Sequence, residues 1–386
     1  LNYINDFDYN PYNKASTLLP KLKAENNFLY LSSSTSLQMT TKDLADAFVE
    51  FKQGKKGFVK TKKKYVNKFS FNSYIKIDYD NSRIKIPKIG YVRFKQSRPI
   101  LGKPFNVTVS KEADKWFVTI QTKRILSPVN PTDLELPEKV LGIDMGIKKF
   151  IAMSEDIDFE FRGKIYNTAK IQNIDIYGYN FKQLSLLQQK LSKKKVDSKN
   201  YLKLKKKIAK FHKHIADTRQ DFLHKLSTAI VKKFPNIAVE NLKIKNMSKS
   251  AKGTKVKPGK NVKAKQNLNR SILKQGWGMF IDFLAYKLHY MYNVKLMKVN
   301  PKNSSNKCSK CGHAHKENRK SQAKFVCMNC RFTCNADKNA SYNISAAGQA
   351  AQNCKDDLLS TCVSARKRKG NKSRTCSNPP STILQT

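Results

Sequence analysis

The sequence predicts a multidomain α+β protein. Helices and an antiparallel, barrel-like set of strands form its N-terminal region, and an α/β domain with an inserted four-cysteine zinc ribbon follows. Three observations carry this. Residues 66–125 hold short apolar runs separated by turn residues at close intervals, the pattern of a small antiparallel barrel or sandwich. Residues 140–300 join apolar runs of strand length to long segments of helical period. Cys308/Cys311 and Cys327/Cys330 form two CxxC pairs separated by fifteen residues, the spacing of a closed thiolate site.

Composition sets the bounds. At 386 residues the chain suffices for two or three domains. A net charge of +48 and a pI near 10.0 call for a polyanionic partner to offset self-repulsion, and nucleic acid is the leading candidate. A membrane surface is the weaker one: no apolar run approaches the ~20 residues a bilayer span requires, and no secretory signal pattern is present. The cysteines do not form the framework of a small disulfide scaffold. Four make the two pairs, and Cys334, Cys354, Cys362 and Cys376 are scattered, which fits a reducing interior with one metal site.

Taken in order, residues 1–39 are polar and irregular. Thr40 to Gln53 reads as a helix: Thr40-Thr-Lys-Asp43 resembles a capping box, Leu44, Ala47, Phe48 and Phe51 share a face, and Gly54 ends the pattern. The lysine-rich run Lys55–Lys64 is either a solvated loop or a phosphate contact. Ile75/Ile77 and Ile84/Ile86 flank Asp80-Asn81-Ser82 as a hairpin; Tyr91–Phe94, Phe105–Val109 and Trp116–Gln121 add strands, with a turn at Glu112–Lys115. Pro128, Pro131 and Pro137 mark a linker. Strands at 140–145, Phe150–Met153 and Phe159–Phe161 read as a meander. From 180 to 234 the period is helical, with stripes Leu184/Leu187/Leu191 and Ile208/Phe211/Ile215/Phe222/Leu226/Ile230 between lysines; Asp197-Ser198 breaks it into two basic helices. Strand 237–241 follows. Residues 246–266 lack large apolar side chains and read as a mobile loop. Ser271–Tyr290 is helical with Trp277, Phe280, Leu284 and Leu288 on one face, Val294–Val299 is a buried strand, a helix spans Lys338–Ala350, and residues 351–386 read as a flexible tail.

The two CxxC pairs present four sulfurs to one ion, and the loop between them has the length of a short hairpin. Gly312 sits where the tight knuckle turn favours glycine. A closed four-thiolate site leaves no position for substrate, so the zinc on Cys308, Cys311, Cys327 and Cys330 is structural. His313, His315 and Cys334 lie nearby as alternative ligands that two intact pairs make unnecessary.

Three acids carry the candidate chemistry: Asp144 in Gly142-Ile-Asp-Met-Gly146, Glu240 in Ile237-Ala-Val-Glu-Asn-Leu242, and Asp337 in Asn335-Ala-Asp-Lys-Asn-Ala340. The first two end short apolar runs that read as buried strands, and the third sits just before a helix. A carboxylate there is expensive to desolvate unless a cation compensates. Converging, the three would make an oxygen-lined site for magnesium or manganese, the kind that activates water in phosphodiester cleavage. Gly142 and Gly146 supply either tight packing or room for a phosphate beside Asp144.

Together, the Gly142-Ile-Asp-x-Gly146 strand, the Val239-Glu-Asn241 strand after long basic helices, the four-cysteine module and Asp337-x-Asn-Ala340 behind it resemble the TnpB family of insertion-sequence proteins, relatives of the compact type V CRISPR nucleases. Asn339, Asn343, His224-Lys-Leu-Ser227, Gly276-Trp277 and Cys308-Ser-x-Cys-Gly312 extend the match. The resemblance implies a RuvC-like, RNase H-type nuclease core over 137–306 that includes the helical hairpin 180–234. It implies a zinc ribbon at 307–334, a last RuvC segment at 335–350, and a recognition and wedge-like region over 1–136. It implies catalysis by Asp144, Glu240 and Asp337 with magnesium, a guide RNA encoded at the element's end, a double-stranded DNA target, a transposase partner from the same element, and a cytoplasmic, nucleoid-associated location in a prokaryote. Family members carry a strand and helix ahead of the region corresponding to Asn13; this chain opens at Leu1, so a wedge lacking a strand is expected. The competing functions are a guided repressor that does not cut and a DNA-joining transposase with an RNase H-like site.

Overall fold

The computed structural model describes residues 11–60, 67–124, 139–171, 181–254, 256–321 and 323–368. The proline linker, residues 61–64 of the lysine run, and the chain beyond 368 lie outside the described residues. Two compact units form: Leu1–Pro128 with Lys182–His214, and Val129–Phe181 with Ile215–Thr386.

In the first unit, the segment expected to be irregular is helical: α1 (Pro11–Thr17), α2 (Leu19–Glu25) and a short 3-10 turn lead into α3 (Ser34–Lys52). The helix starts earlier than Thr40 because Ser33 caps it, its hydroxyl accepting from the Ser36 N–H at 3.2 Å. Thr40 is interior and donates back to the Ser36 carbonyl, so the expected capping box does not form. Six strands follow: β1 (Lys68–Phe71), β2 (Ile77–Asp78), β3 (Arg83–Ile86), β4 (Gly90–Arg93), β5 (Lys103–Glu112) and β6 (Lys115–Lys123). They make two antiparallel three-stranded sheets, β1-β5-β6 and β2-β3-β4. Both feed one core of Phe71, Ile84, Ile86, Val107 and Val109. Ala113 and Asp114, both at positive φ, close the β5–β6 hairpin as a primed turn, whose twist matches the strands. The helical hairpin is present as α4 (Phe181–Ser192) and α5 (Lys199–Lys233), of which Lys182–His214 belongs to this unit and the rest of α5 to the second. Asp197 at positive φ and Ser198, which accepts from the Tyr201 N–H, make the break. Asp114 pairs with Lys206 and Lys210, and Glu112 with Lys213. Lys190, Lys193, Lys194, Lys203 and Lys207 line one cleft on this hairpin.

The second unit is built on a four-stranded sheet of β7 (Leu141–Met145), β8 (Ile151–Met153), β11 (Ile237–Glu240) and β12 (Met297–Val299), in the order β12-β11-β7-β8. β7 pairs antiparallel with β8 and parallel with β11, which pairs parallel with β12. The expected meander stops at two strands. β9 (Asp158–Phe161) pairs with β10 (Lys164–Asn167) in a separate ribbon. Thr168 holds that ribbon, exchanging bonds with Ile157 through its N–H and hydroxyl.

On one face of the sheet, Leu141, Ile143, Met145, Ile237 and Val239 share a core with Phe222, Leu226 and Ile230 of α5 and with Phe280 and Leu284 of α8 (Trp277–Tyr292). Buried Lys287 ties these helices, donating to the His224 carbonyl at 2.6 Å, Ser227 Oγ at 2.7 Å and Thr228 Oγ1 at 2.8 Å. Its three donors are thereby satisfied, which gives the His224–Ser227 motif a structural role. Between the strand and helix lie α6 (Ile244–Met247) and α7 (Val262–Gln275). The expected loop 246–266 is therefore helical from Val262, and the helix expected over Ser271–Tyr290 is split at Gly276, whose φ is +74°. The strands β13 (Lys324–Val326) and β14 (Thr333–Asn335) form the hairpin of the cysteine module. The last helix, α9, spans Ala336–Arg368, so residues 351–368 are helical where a flexible tail is expected. It covers the other face of the sheet, where Ile344 packs with Val140, Ala238 and Val299. Among the described residues no helix is long and apolar enough to cross a membrane.

Candidate active site

Strand alternation places the first two acids. On β7 and β11 the residues Leu141, Ile143, Ile237 and Val239 face the α5/α8 core, so Gly142, Asp144, Ala238 and Glu240 face α9. The parallel register pairs Ala238 with Gly142 and Val239 with Ile143, and the next residues along are Glu240 and Asp144.

α9 supplies the third. A Cβ at Gly142 would lie 2.0 Å from the Ser341 carbonyl oxygen and 2.4 Å from the Ser345 N. Farther along the helix, Ser345 Oγ donates to the Val140 carbonyl at 2.6 Å, and a Cβ at Gly348 would meet Val140 and Ala238. The helix thus runs against the strand direction. One turn back from Ser341 is Asp337; two residues on from Gly142, roughly 6.6 Å along the strand, is Asp144. Gly142 is accounted for by this close approach. Gly146 is accounted for by the Lys149 carbonyl, 2.6 Å from where its Cβ would sit. Packing, rather than room for a phosphate, explains both glycines.

The electrostatics agree with this placement. Burial, then the charges of Glu240 and Asp337, push the Asp144 carboxyl up to about 7, against a smaller pull from the Arg319 guanidinium. Burial also raises Glu240, which is 8% exposed, and the Ser304 hydroxyl, donating to Oε1 at 2.5 Å, offsets part of that rise. Asp337 lies in the first turn of α9, where the helix dipole favours an anion. Asn335 caps that turn, its Oδ1 accepting from the N–H groups of Asp337 and Lys338. Arg319 donates to Asp337 Oδ1 at 3.3 Å, and Lys338 pairs with Asp156 at 2.6 Å.

The cysteine quartet is the one group of three or more His, Cys, Asp or Glu, among the described residues, whose ligand atoms all lie within 4.8 Å of one another. The three carboxylates are not drawn that tightly together: Ser304 holds Glu240 and Arg319 holds Asp337. All three side chains offer the hard oxygen donors that magnesium prefers.

The sulfurs fit zinc. Cys308 and Cys330 Sγ are 3.7 Å apart and Cys311 and Cys327 Sγ 3.6 Å; a tetrahedron with Zn–S bonds of ~2.3 Å has edges of about 3.8 Å. The two knuckles repeat one geometry. Cys308 N–H donates to the His313 carbonyl and Gly312 N–H to Cys308, as Cys327 does to Phe332 and Arg331 to Cys327. Gly312 and Arg331 both adopt positive φ. A backbone hydrogen bond from His313 lowers the Cys311 thiol to about 6, whereas burial raises Cys308 and the neighbouring thiols raise Cys330, so in the metal-free quartet Cys311 is the first to ionise. His313 and His315 stack on each other outside the quartet, and Cys334 lies outside it as well.

Arg319 and Ser304 are functional candidates that the sequence reading misses. Arg319 sits in the loop between the cysteine pairs and Ser304 in the loop before them, with no periodicity to mark either.

Comparison with known proteins converges on the same elements. A family model described as a probable transposase matches residues 107–251, and one described as a Cas12f1-like TNB domain matches 277–344. The chain is 40% identical over 350 residues to the putative RNA-guided DNA endonuclease InsQ of Escherichia coli K12, covering 90% of this chain and 83% of that protein. It is 28% identical over 364 residues to a putative RNA-guided DNA endonuclease of Streptomyces pristinaespiralis, covering 92% of this chain and 82% of that one. A cryo-EM structure of a Cas12f1-sgRNA-target DNA complex is 20% identical, with 86% of this chain and 92% of that chain covered, at a TM-score of only 0.33. The identity to InsQ over most of both chains decides the assignment: the chain belongs to the TnpB family of insertion-sequence proteins.

Proposed function

We propose that this chain is an RNA-guided DNA endonuclease of a transposable element, cutting DNA with a RuvC-like, RNase H-type site in which Asp144, Glu240 and Asp337 hold two magnesium ions. What supports the reading is that Asp144 and Glu240 lie on the face of the sheet that α9 covers, with Asp337 in the first turn of that helix, and that the charges of Glu240 and Asp337 both raise the Asp144 carboxyl. Ionising a buried carboxylate is costly; burial raises both Asp144 and Glu240, and a divalent cation would offset that cost. When bound, magnesium supplies an activated water and charge stabilisation at the leaving 3′ oxygen.

The chain's own residues do the rest. Asp144 would be the carboxylate common to the cations, with Glu240 and Asp337 as the flanking ligands. Arg319 donates toward Asp337 and supplies a positive charge where a phosphate arrives. The lysines lining the α4–α5 cleft meet nucleic-acid backbone, and the net charge of +48 suits a large RNA–DNA load held without base reading. The cysteine module holds a structural zinc whose binding energy is largely its folding energy. The relatives are named as RNA-guided endonucleases, which supports a guide RNA and a DNA target for this chain too; the RNA is encoded at the element's end.

The test is purification with bound RNA, sequencing of that RNA, and incubation with DNA matching the guide. Magnesium-dependent cleavage is expected from the wild type. Asp144→Ala is expected to lose cleavage while retaining RNA, since the lysine contacts are untouched. Cleavage surviving in that variant would overturn the assignment.

A further inference from the structure

The asparagines of the Asp337-x-Asn motif do not touch the three acids, yet they are not idle. Fully buried Asn339 donates from Nδ2 to the Lys307 carbonyl at 2.7 Å and accepts from the Ser309 N–H at 3.0 Å. It thus grips both neighbours of the zinc ligand Cys308. One turn on, Asn343 donates to the carbonyls of Ser304 at 2.8 Å and Lys307 at 2.7 Å. A third asparagine, Asn318, is also fully buried. It donates to the carbonyls of Asn306 and His313 and accepts from the Met328 N–H, so it joins the same loop to both knuckles. Every one of these bonds ends on residues 304–313 or on the second knuckle. The loop they fix carries Ser304, whose hydroxyl lies 2.5 Å from Glu240 Oε1 and 3.1 Å from the Pro301 carbonyl.

We propose that Ser304 is a positioning residue for Glu240, and that Asn339, Asn343 and Asn318 set its place by wiring the loop 304–309 to the zinc-loaded cysteine module. This rests on reading Glu240 as a cation ligand. A hydroxyl has one hydrogen, so Ser304 chooses between Glu240 and Pro301. A loop displacement of a fraction of an ångström decides the choice, because O–H···O bonds weaken steeply with distance and angle. With the bond made, the carboxylate's rotation is fixed and its remaining lone pairs are free for a cation. Without it, Glu240 loses its orientation. Groups that orient metal ligands are commonly worth 10–100-fold in metal affinity. The consequence is that the structural zinc and the catalytic cation are linked: loss of zinc weakens cation binding at Glu240 before it unfolds the sheet.

The experiment uses the full chain with its co-purified RNA and its zinc retained. It reads manganese binding by electron paramagnetic resonance of the free ion, cleavage as a function of magnesium concentration, zinc content, and melting midpoint. Ser304→Ala is expected to keep its zinc and melt within a few degrees of wild type, to bind manganese about 10-fold more weakly, and to need correspondingly more magnesium for half-maximal cleavage. Ser304→Thr, which restores the hydroxyl, is expected to return both values to within about twofold. Asn343→Ala is expected to shift cation dependence in the same direction and to release zinc faster to a chromogenic chelator. Should Ser304→Ala fail to fold or lose its zinc, Ser304→Cys, which keeps the volume and weakens the donor, is held to the same criteria. Wild-type manganese binding in the serine variant that folds, or a threonine variant as impaired as alanine, overturns the proposal. Failure of the underlying reading has a different signature: Asp144→Ala then binds manganese as wild type does, whatever the serine variants show.

Discussion

Replacing Asp144 by asparagine tests whether this carboxylate sits in a strained electrostatic position. Its pKa is raised from an ordinary value of 3.8 to about 7 by burial and by two neighbouring acids. That difference corresponds to about 4 kcal/mol of cost to the ionised folded state, an upper bound because the site relaxes. The sign follows from proton linkage. Below pH 3.8 the group is protonated in folded and unfolded chains alike, and it costs nothing. Between 3.8 and about 7 the folded chain holds a proton that the unfolded chain has released, so stability falls as pH rises. Above about 7 the full cost is present. Asparagine mimics the protonated acid at every pH. In magnesium-free buffer with zinc retained, Asp144→Asn is therefore expected to be more stable than wild type by about 2–4 kcal/mol at pH 8, with the gain shrinking toward zero near pH 4. Denaturant unfolding of the second unit at a series of pH values measures it. Adding magnesium at pH 8 stabilises the wild type by mass action and narrows or reverses the gap. A gain that does not vary with pH, or no gain at pH 8, would refute the reasoning.

Other perturbations reach different parts of the site. Gly142→Ala forces a methyl to within 2.0 Å of the Ser341 carbonyl; with backbone on both sides, about 3 kcal/mol or more of destabilisation is expected, read as a lower melting midpoint with loss of cleavage. Arg319→Ala removes the cation beside Asp337 and is expected to lower cleavage about 10–100-fold at unchanged RNA retention, and to move the Asp144 titration upward from about 7 in the metal-free protein, since Arg319 lowers it. Changing Lys190, Lys193, Lys194, Lys203 and Lys207 to glutamine is expected to reduce the slope of log affinity against log salt by roughly 0.7–0.9 for each phosphate that is no longer neutralised. An unchanged slope would show that this face is only solvated.

How much of this is legible in the chain depends on the kind of interaction. The strands that carry Asp144 and Glu240 open on unbroken apolar runs because both faces of a parallel pair are buried, so Val140–Ile143 and Ile237–Val239 declare themselves. The hairpin of basic helices is legible from its stripe, and the break at Asp197-Ser198 from turn chemistry. What escapes is polar. Ser33 caps α3 seven residues before the apparent capping box, because a serine accepts a helix N–H as well as a threonine does and nothing in the local pattern ranks them. The face Leu44/Phe48/Phe51 is only partly covered. Gly276 looks like a tolerated glycine inside one helix, yet it separates two. Arg319 and Ser304 lie in loops, where contacts are set by tertiary packing and leave no period to read.

The last helix shows why the polar half of the site is hard to see and how it can be found. An apolar stripe is too weak to predict α9 past Ala350, because its contacts are made by other means. Asp337, Ser341, Ser345 and Gln349 recur at intervals of four, one face of a helix, and meet the sheet through the acid site, the Gly142 contact, the Val140 carbonyl and the Val140 N–H in turn. Asn339 and Asn343, also four apart, form a second stripe that grips the loop bearing the first knuckle. Small and amide side chains are required on both stripes. The sheet-facing one lets backbone approach backbone at Gly142, and the other satisfies buried carbonyls that would otherwise each go without a hydrogen bond, at a cost in stability. A helix whose buried faces are polar at a four-residue interval is therefore bonded to a fixed set of partners in addition to its apolar contact through Ile344. It follows that shifting α9 by one residue would misplace Asp337, the support of β7 and the loop behind Glu240 at once, so the register of this one helix governs all three acids together.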